Sequence, residues 1–174
     1  MSQSADAAQA MDPPPQHVVY IALGSNLGDR AANLERTIEC LPSAVRVCAA
    51  SPVYETPPWG YLDQPPFLNQ VVRAETALEP PQLLDYLKQL EIHIGRQLTF
   101  RNGPRVIDLD ILLFDQQTYD NPKLTIPHPR LTERAFVLVP LAYLAPDLPH
   151  PINGKTIRHL LNQIDTTTIR IYSP

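Results

Sequence analysis

Proline narrows what this chain can fold into more than any other feature. Each proline fixes φ and has no N–H to donate, so helix interiors and central strands largely exclude it. Twenty of the 174 residues are proline, and they fall mostly between the apolar runs. A compact body with long, stiffened loops is the expected result. The segments left between the prolines can be assigned one at a time.

His17 to Leu23 is a short β-rich run ended by a turn over Gly24-Ser25-Asn26-Leu27-Gly28-Asp29. Leu34, Ile38 and Leu41 then recur at helical spacing until Pro42 stops the helix. Val45 to Tyr54 reads as a second strand whose end, at Pro52, belongs at an edge or bulge. Thr56 to Pro66 is a Pro- and Gly-rich loop with the single tryptophan, Trp59, and Phe67 to Thr76 is a third strand. Pro80-Pro81 open a helix with Leu83, Leu84, Leu87, Leu90 and Ile94 on one face, closed by Gly95. After a polar loop, Val106 to Phe114 is the most apolar strand. A helix around Leu131 to Leu144, broken or bent near Pro140, and a short one around Ile157 to Ile164 complete the chain.

Strand, helix, strand, strand, helix, strand is the order of a ferredoxin-like α/β sandwich, an antiparallel sheet with helices on one face. Its other face is expected to be free, and a site could be built there. Residues 17–174 form one expected catalytic domain, and residues 1–16, rich in Ala, Ser, Gln and Pro, an expected disordered tail.

The net charge of −4 argues against a general nucleic-acid binder, which needs a basic footprint, but a few arginines in one pocket suffice for a triphosphate. Cys40 and Cys48 have neither metal-ligand spacing nor a disulfide framework, and no apolar run is long enough to span a membrane. A monomeric cytoplasmic enzyme is the expected setting.

The sharpest chemical signal is Val106-Ile107-Asp108-Leu109-Asp110-Ile111-Leu112-Leu113. Strand alternation puts Asp108 and Asp110 on one face and Ile107, Leu109, Ile111 and Leu113 on the other. Two carboxylates about 6.6 Å apart along a strand repel unless a cation or solvent intervenes. Magnesium takes one or two carboxylates plus substrate phosphates. The bland alternative is an edge strand showing acids to water; its length and apolar opposite face make this strand look central.

Arg96, Arg101 and Arg105 lie just upstream, in or beside a loop ending Asn102-Gly103-Pro104-Arg105. Guanidiniums beside carboxylates suit phosphate clamps around a metal, or else simply pair with the aspartates. Glu91, in the preceding helix, is placed to orient one of them. Farther on, His128 between Pro127 and Pro129 is followed by Arg130 and Arg134; the histidine could contact phosphate or act as an acid, or be a rigid turn residue. There is no P-loop motif, so a nucleotide would bind without one.

In combination, Gly24-Ser25-Asn26-Leu27-Gly28, Thr56-Pro57-Pro58, Phe67-Leu68-Asn69, Gly103-Pro104-Arg105 with Asp108-x-Asp110, and Pro127-His128-Pro129-Arg130 resemble the 6-hydroxymethyl-7,8-dihydropterin pyrophosphokinases of folate biosynthesis. The likeness runs from about Val18 to about Leu161. It implies transfer of pyrophosphate from ATP to the pterin alcohol, with ATP as co-substrate and two Mg2+ ions held by Asp108 and Asp110. It implies Arg96, Arg105, Asp108 and Asp110 as the catalytic set. Around ATP it implies Arg96, Arg101, Arg105, Ile111, His128 and Arg134. Asn69 would bond the pterin, Phe67 and Phe136 would sandwich its ring, and Thr56, Pro58 and Trp59 would belong to the loop that reads its edge. Asn102 departs from the family, many of whose members carry Trp there, and the loop from Gln97 to Asn102 is expected to close over substrate.

Two rivals follow from the same residues. Another Asp-x-Asp phosphoryl- or nucleotidyl-transferase would act on a different acceptor. An RNA-recognition module shares the βαββαβ order but needs exposed aromatics and a basic face on its central strands, where two aspartates are expected here.

Overall fold

The computed structural model describes residues 16–174; all but the last residue of the expected N-terminal tail lies outside that range. The elements are β1 (His17–Ser25), α1 (Arg30–Cys40), β2 (Val45–Ala50), β3 (Tyr54–Thr56), β4 (Phe67–Thr76), α2 (Pro80–Ile94), β5 (Asp108–Phe114), β6 (Tyr119–Asn121), β7 (Leu124–Ile126), α3 (Ala135–Leu144), α4 (Ile157–Leu161) and β8 (Arg170–Ile171). Single 3-10 turns follow α1 at Leu41–Ser43 and precede α3 at Leu131–Glu133.

Local chemistry sets these boundaries. Asp29 caps α1 by accepting from Ala32 N at 3.0 Å. Gln82 Oε1 accepts from Glu79 N at 3.0 Å at the start of α2, and Gly95, at φ 120°, ends it. The expected second strand is two strands, β2 and β3, both paired with β4. Pro52 has no N–H to continue the ladder, and Ser51 and Gln70 take up the slack: Gln70 Nε2 donates to Ser51 O at 2.8 Å, and Val71 N to Ser51 Oγ at 3.1 Å.

The sheet runs β5-β1-β4-β3-β8, with β2 also on β4, and every pairing is antiparallel. The ferredoxin-like order is therefore present, with three corrections to the expected layout. First, the opposite face of the sheet is not free. Val19, Ile21, Leu23, Val72, Leu109 and Ile111 meet α1 and α2 on one side, while Tyr20, Val71, Leu112 and Leu113 meet α3 and α4 on the other. Second, β5 is an edge strand rather than a central one; strand order, which decides this, is not written in any one strand's composition. Third, Leu113 joins the α3 side. The register with β1 slips between Tyr20 and Ile21, which puts a bulge into β5 and restarts its alternation after Leu112. The expected interruption of the C-terminal helix also moves. It falls at Arg134, whose backbone is extended, while α3 runs on through Pro140. The β6–β7 hairpin was not expected.

An edge strand leaves backbone groups without partners. Here side chains and a loop take them. Leu109 N donates to Glu91 Oε1 at 2.7 Å, Leu109 O accepts from Lys88 Nζ at 3.0 Å, and Leu112 O accepts from His128 N at 2.9 Å. The strand carrying the aspartates is thus clipped to α2 and to the segment after β7.

Candidate active site

The face shared with α3 is apolar at one end of the strands and polar at the other. Cross-strand register explains the change. Asp108, Gly24, Asn69 and Tyr54 form one row across β5, β1, β4 and β3, and Asp110, Ala22 and Val71 form the next. Two strand spacings, about 10 Å, separate the backbone of Asp108 from that of Asn69. Between them β1 contributes only Gly24 and Ala22, which leaves a shallow floor. A Cβ at Gly24 would stand 3.3 Å from Asn69 Oδ1. Above this floor lies a cleft of about 350 Å³, lined among others by Thr56, Trp59, Phe67, Asn69, Arg96, Arg105, Asp108, Asp110, His128, Arg134 and Phe136.

At the β5 end, Asp108 is paired with two arginines. Arg96 Nη1 lies 2.6 Å from its Oδ1 and Arg105 Nη1 3.1 Å from its Oδ2. Burial disfavours its charge, but Arg105 and Arg96 outweigh burial and hold the carboxyl below the ordinary carboxylate range. Arg96 in turn is left more basic by Asp108 and then Glu91, whose Oε2 is 2.6 Å from Nη1, against the opposing effect of burial. Glu91 therefore orients Arg96, as its place in the sequence suggested. Asn26 fixes Arg105 from behind, accepting from Arg105 N at 2.8 Å and donating its own N–H to Arg105 O at 3.1 Å.

Asp110 is different. Its nearest basic partner is His128, with Nε2 4.0 Å from Oδ2. Burial, then repulsion from Asp108, pushes its carboxyl above the ordinary range. His128 Nδ1 accepts from Arg130 N at 3.1 Å, so the neutral ring carries its proton on Nε2, facing Asp110. Burial keeps that ring neutral by lowering its pKa, against the pull of Asp110. Among the described residues no group of three or more His, Cys, Asp or Glu side chains forms a metal cage. The donors are instead two carboxylates facing a cleft, one of them short of positive charge. That set fits a hard dication that completes its shell with substrate oxygens.

Two guanidiniums are poised for an anion. Arg105 Nε and Arg134 Nε are buried without hydrogen-bond partners. Arg105 lies over the Phe67 ring at 5.6 Å and Arg134 over Phe136 at 5.5 Å. At the β4 end the chemistry turns neutral. Asn69 Nδ2 donates to Thr56 Oγ1 at 2.7 Å, leaving Oδ1 beside Gly24.

Three expected residues lie elsewhere. Arg101 is exposed outside the cleft, Ile111 is buried toward α1 and α2, and Pro57 rather than Pro58 lines the wall. Sequence reasoning missed Lys88, Gln70, Asn102, Ala22 and Gly24 as cleft residues. Lys88 had a signal, being the basic residue one turn before Glu91. The loop over residues 97–102 docks on the loop over 57–66: Phe100 meets Tyr61 edge-on at 5.0 Å, and Gln64 Nε2 donates to Asn102 O at 2.8 Å.

The fold and the site together define a ferredoxin-like α/β protein whose cleft sets arginines and two carboxylates beside a neutral amide. The family model described as 7,8-dihydro-6-hydroxymethylpterin-pyrophosphokinase (HPPK) matches residues 20–146, and the chain belongs to that family. It is 45% identical over 152 residues to the 2-amino-4-hydroxy-6-hydroxymethyldihydropteridine pyrophosphokinase of Methylorubrum extorquens, covering 86% of this chain and 95% of that one. It is 42% identical over 158 residues to the Folic acid synthesis protein fol1 of Schizosaccharomyces pombe, covering 90% of this chain but only 22% of that longer protein. A solved structure of a Plasmodium falciparum HPPK-DHPS triple mutant shares the fold, with a TM-score of 0.72 at 19% identity over 88% of this chain and 45% of that one.

Proposed function

We propose that this chain transfers the β,γ-pyrophosphoryl group of ATP to the hydroxyl of 6-hydroxymethyl-7,8-dihydropterin. A new oxygen–phosphorus bond forms at the β-phosphorus, the bond to the α,β-bridging oxygen breaks, and AMP leaves with that oxygen. The hydroxyl proton passes to solvent or a phosphate oxygen. The observation that carries this reading is the row Asp108–Gly24–Asn69, which puts a carboxylate–arginine end and a neutral amide end about 10 Å apart on one floor.

Each end has a defined task. Arg105 and Arg134 offer the donors they leave unpaired to phosphate oxygens, and Arg96 is held by Glu91 to balance charge beside Asp108. Neutral His128 donates from Nε2 toward the same region. Asp108 and Asp110 would hold the magnesium ions, which when bound neutralise phosphate oxygens and polarise the β-phosphorus. Asn69 and Thr56 read the pterin's amide edge while Phe67 and Phe136 cover its faces. Positioning and electrostatics supply the rate, and no side chain is needed as general base.

The proposed setting is a monomeric cytoplasmic enzyme acting on small molecules, without nucleic acid or membrane. No helix among the described residues is long and apolar enough to cross a membrane. The test is product analysis with ATP, magnesium and the reduced pterin alcohol. AMP formed only when all three are present is expected; ADP would mark a simple kinase and overturn the proposal.

A further inference from the structure

The loop over residues 57–66 and the segment after β7 meet at one ring. Trp59, the sole tryptophan of the chain, has the Arg130 guanidinium 4.9 Å and the Arg134 guanidinium 5.1 Å from its ring centroid. Neither arginine forms an ion pair with a carboxylate among the described residues. The two are not equivalent. Arg134 lines the cleft, also rests on Phe136, and keeps a buried Nε without a partner. Arg130 lies outside the cleft lining, at the start of the 3-10 turn Leu131–Glu133.

Two cations on one ring compete for it and repel each other. Burial, and to a lesser extent the Arg130 charge, lowers the pKa of Arg134 against the opposing pull of Asp110. A triphosphate in the cleft offers Arg134 a better partner than a ring face, because charge-assisted bonds to phosphate exceed an exposed cation–π contact. Once Arg134 moves, Trp59 keeps only the cation that the cleft does not claim.

We propose that Arg130 is a positioning residue that holds Trp59, and with it the pterin-side loop, against the phosphate-side segment while Arg134 is drawn to the nucleotide. The proposal rests on the pyrophosphokinase reading for the identity of the two substrates. Arg130 acts through Trp59 and touches neither substrate. Its charge matters, since the ring face attracts a cation, and its alkyl stem alone is not sufficient.

The experiment combines steady-state kinetics with Trp59 emission, which reports one site because there is one tryptophan. Arg130→Ala is expected to raise the pterin KM by about three- to tenfold, the range of a single cation–π contact, with kcat and the ATP KM within about twofold. With magnesium and a non-hydrolysable ATP analogue bound, Trp59 of the variant should shift to longer wavelength and become more open to acrylamide quenching than in the parent protein. Arg130→Lys should recover most of both effects, and Arg130→Met should recover neither. A change confined to the ATP KM, recovery by Met equal to that by Lys, or Trp59 emission indifferent to Arg130 would each overturn the proposal. Failure of the pyrophosphokinase reading would appear separately, as absence of AMP formation by the parent protein, while the emission comparison would still report whether Arg130 holds Trp59.

Discussion

At the β5 end of the cleft, Arg96 and Arg105 reach Asp108 within 3.1 Å, and Asp110 stands beside them with no arginine of its own. At the β4 end, Asn69 and Thr56 share one neutral hydrogen bond in a cleft that Phe67 and Phe136 also line. The first end holds unbalanced charge, which suits the proposed phosphates and metal. The second presents a fixed neutral amide and hydroxyl beside aromatic faces on which Arg105 and Arg134 rest. Removing a group at the first end should therefore cost catalysis, and removing one at the second should cost selective binding.

The largest effect is expected at the carboxylates. Asp108→Ala and Asp110→Ala should each reduce turnover by roughly a thousandfold or more, comparable with or beyond the loss of a principal electrostatic group in other enzymes. Circular dichroism should show a retained fold. Near-parental turnover in either variant would detach this end from the chemistry.

Gly24 joins the two ends, so its enlargement tests whether they share a floor. A Cβ there meets Asn69 Oδ1 at 3.3 Å, and the branches of valine would reach farther. Gly24→Val should weaken pterin binding by about tenfold or more, in line with a misplaced buried amide, while ATP binding changes less. Equal loss of both ligands, measured by calorimetry, would mean that the floor belongs to neither end in particular.

A smaller effect separates the two aspartates by stability in magnesium-free protein. The Asp108 carboxyl is held low, so its ionised form contributes stability present above the ordinary carboxylate range and lost as pH falls through the lowered pKa. The Asp110 carboxyl is raised, so the stability tied to its neutral form is full below about pH 4 and lost as pH rises through the raised pKa. At neutral pH, Asp108→Asn should lower Tm by a few degrees and Asp110→Asn should raise it, and the second difference should vanish in acid. Shifts of the same sign would contradict the asymmetry.

Much of the charged end was legible because its chemistry is local in sequence. Asp108 and Asp110 are two residues apart on a strand, and Glu91 and Arg96 flank one helix end. The limits of α2 were legible too, from Pro80 and Gly95. What could not be read were properties that depend on strand order. The edge position of β5 follows from pairing with β1 alone, and the bulge that turns Leu113 toward α3 from a slip in that pairing. Lys88 is brought to the site by β5 at the sheet edge, where its Nζ donates to Leu109 O, and by its ion pair with Glu91. Gly24 read as a turn residue until register placed it between Asp108 and Asn69. Pro140 predicts a break or bend in the C-terminal helix, but α3 is unbroken there and the interruption sits at Arg134, whose backbone is extended and whose side chain lies over Trp59 and lines the cleft.

The division of the cleft into two chemically separate ends is tested most directly by titrating two ligands into one variant. Asn69→Ala removes the amide that pairs with Thr56 and leaves every charged contact of Asp108 and Asp110 in place. Calorimetry should show pterin binding weakened by roughly 1–3 kcal/mol, the usual cost of leaving buried polar groups unpaired, with affinity for a magnesium–ATP analogue unchanged. Equal losses for both ligands, or a loss confined to the nucleotide, would contradict the account.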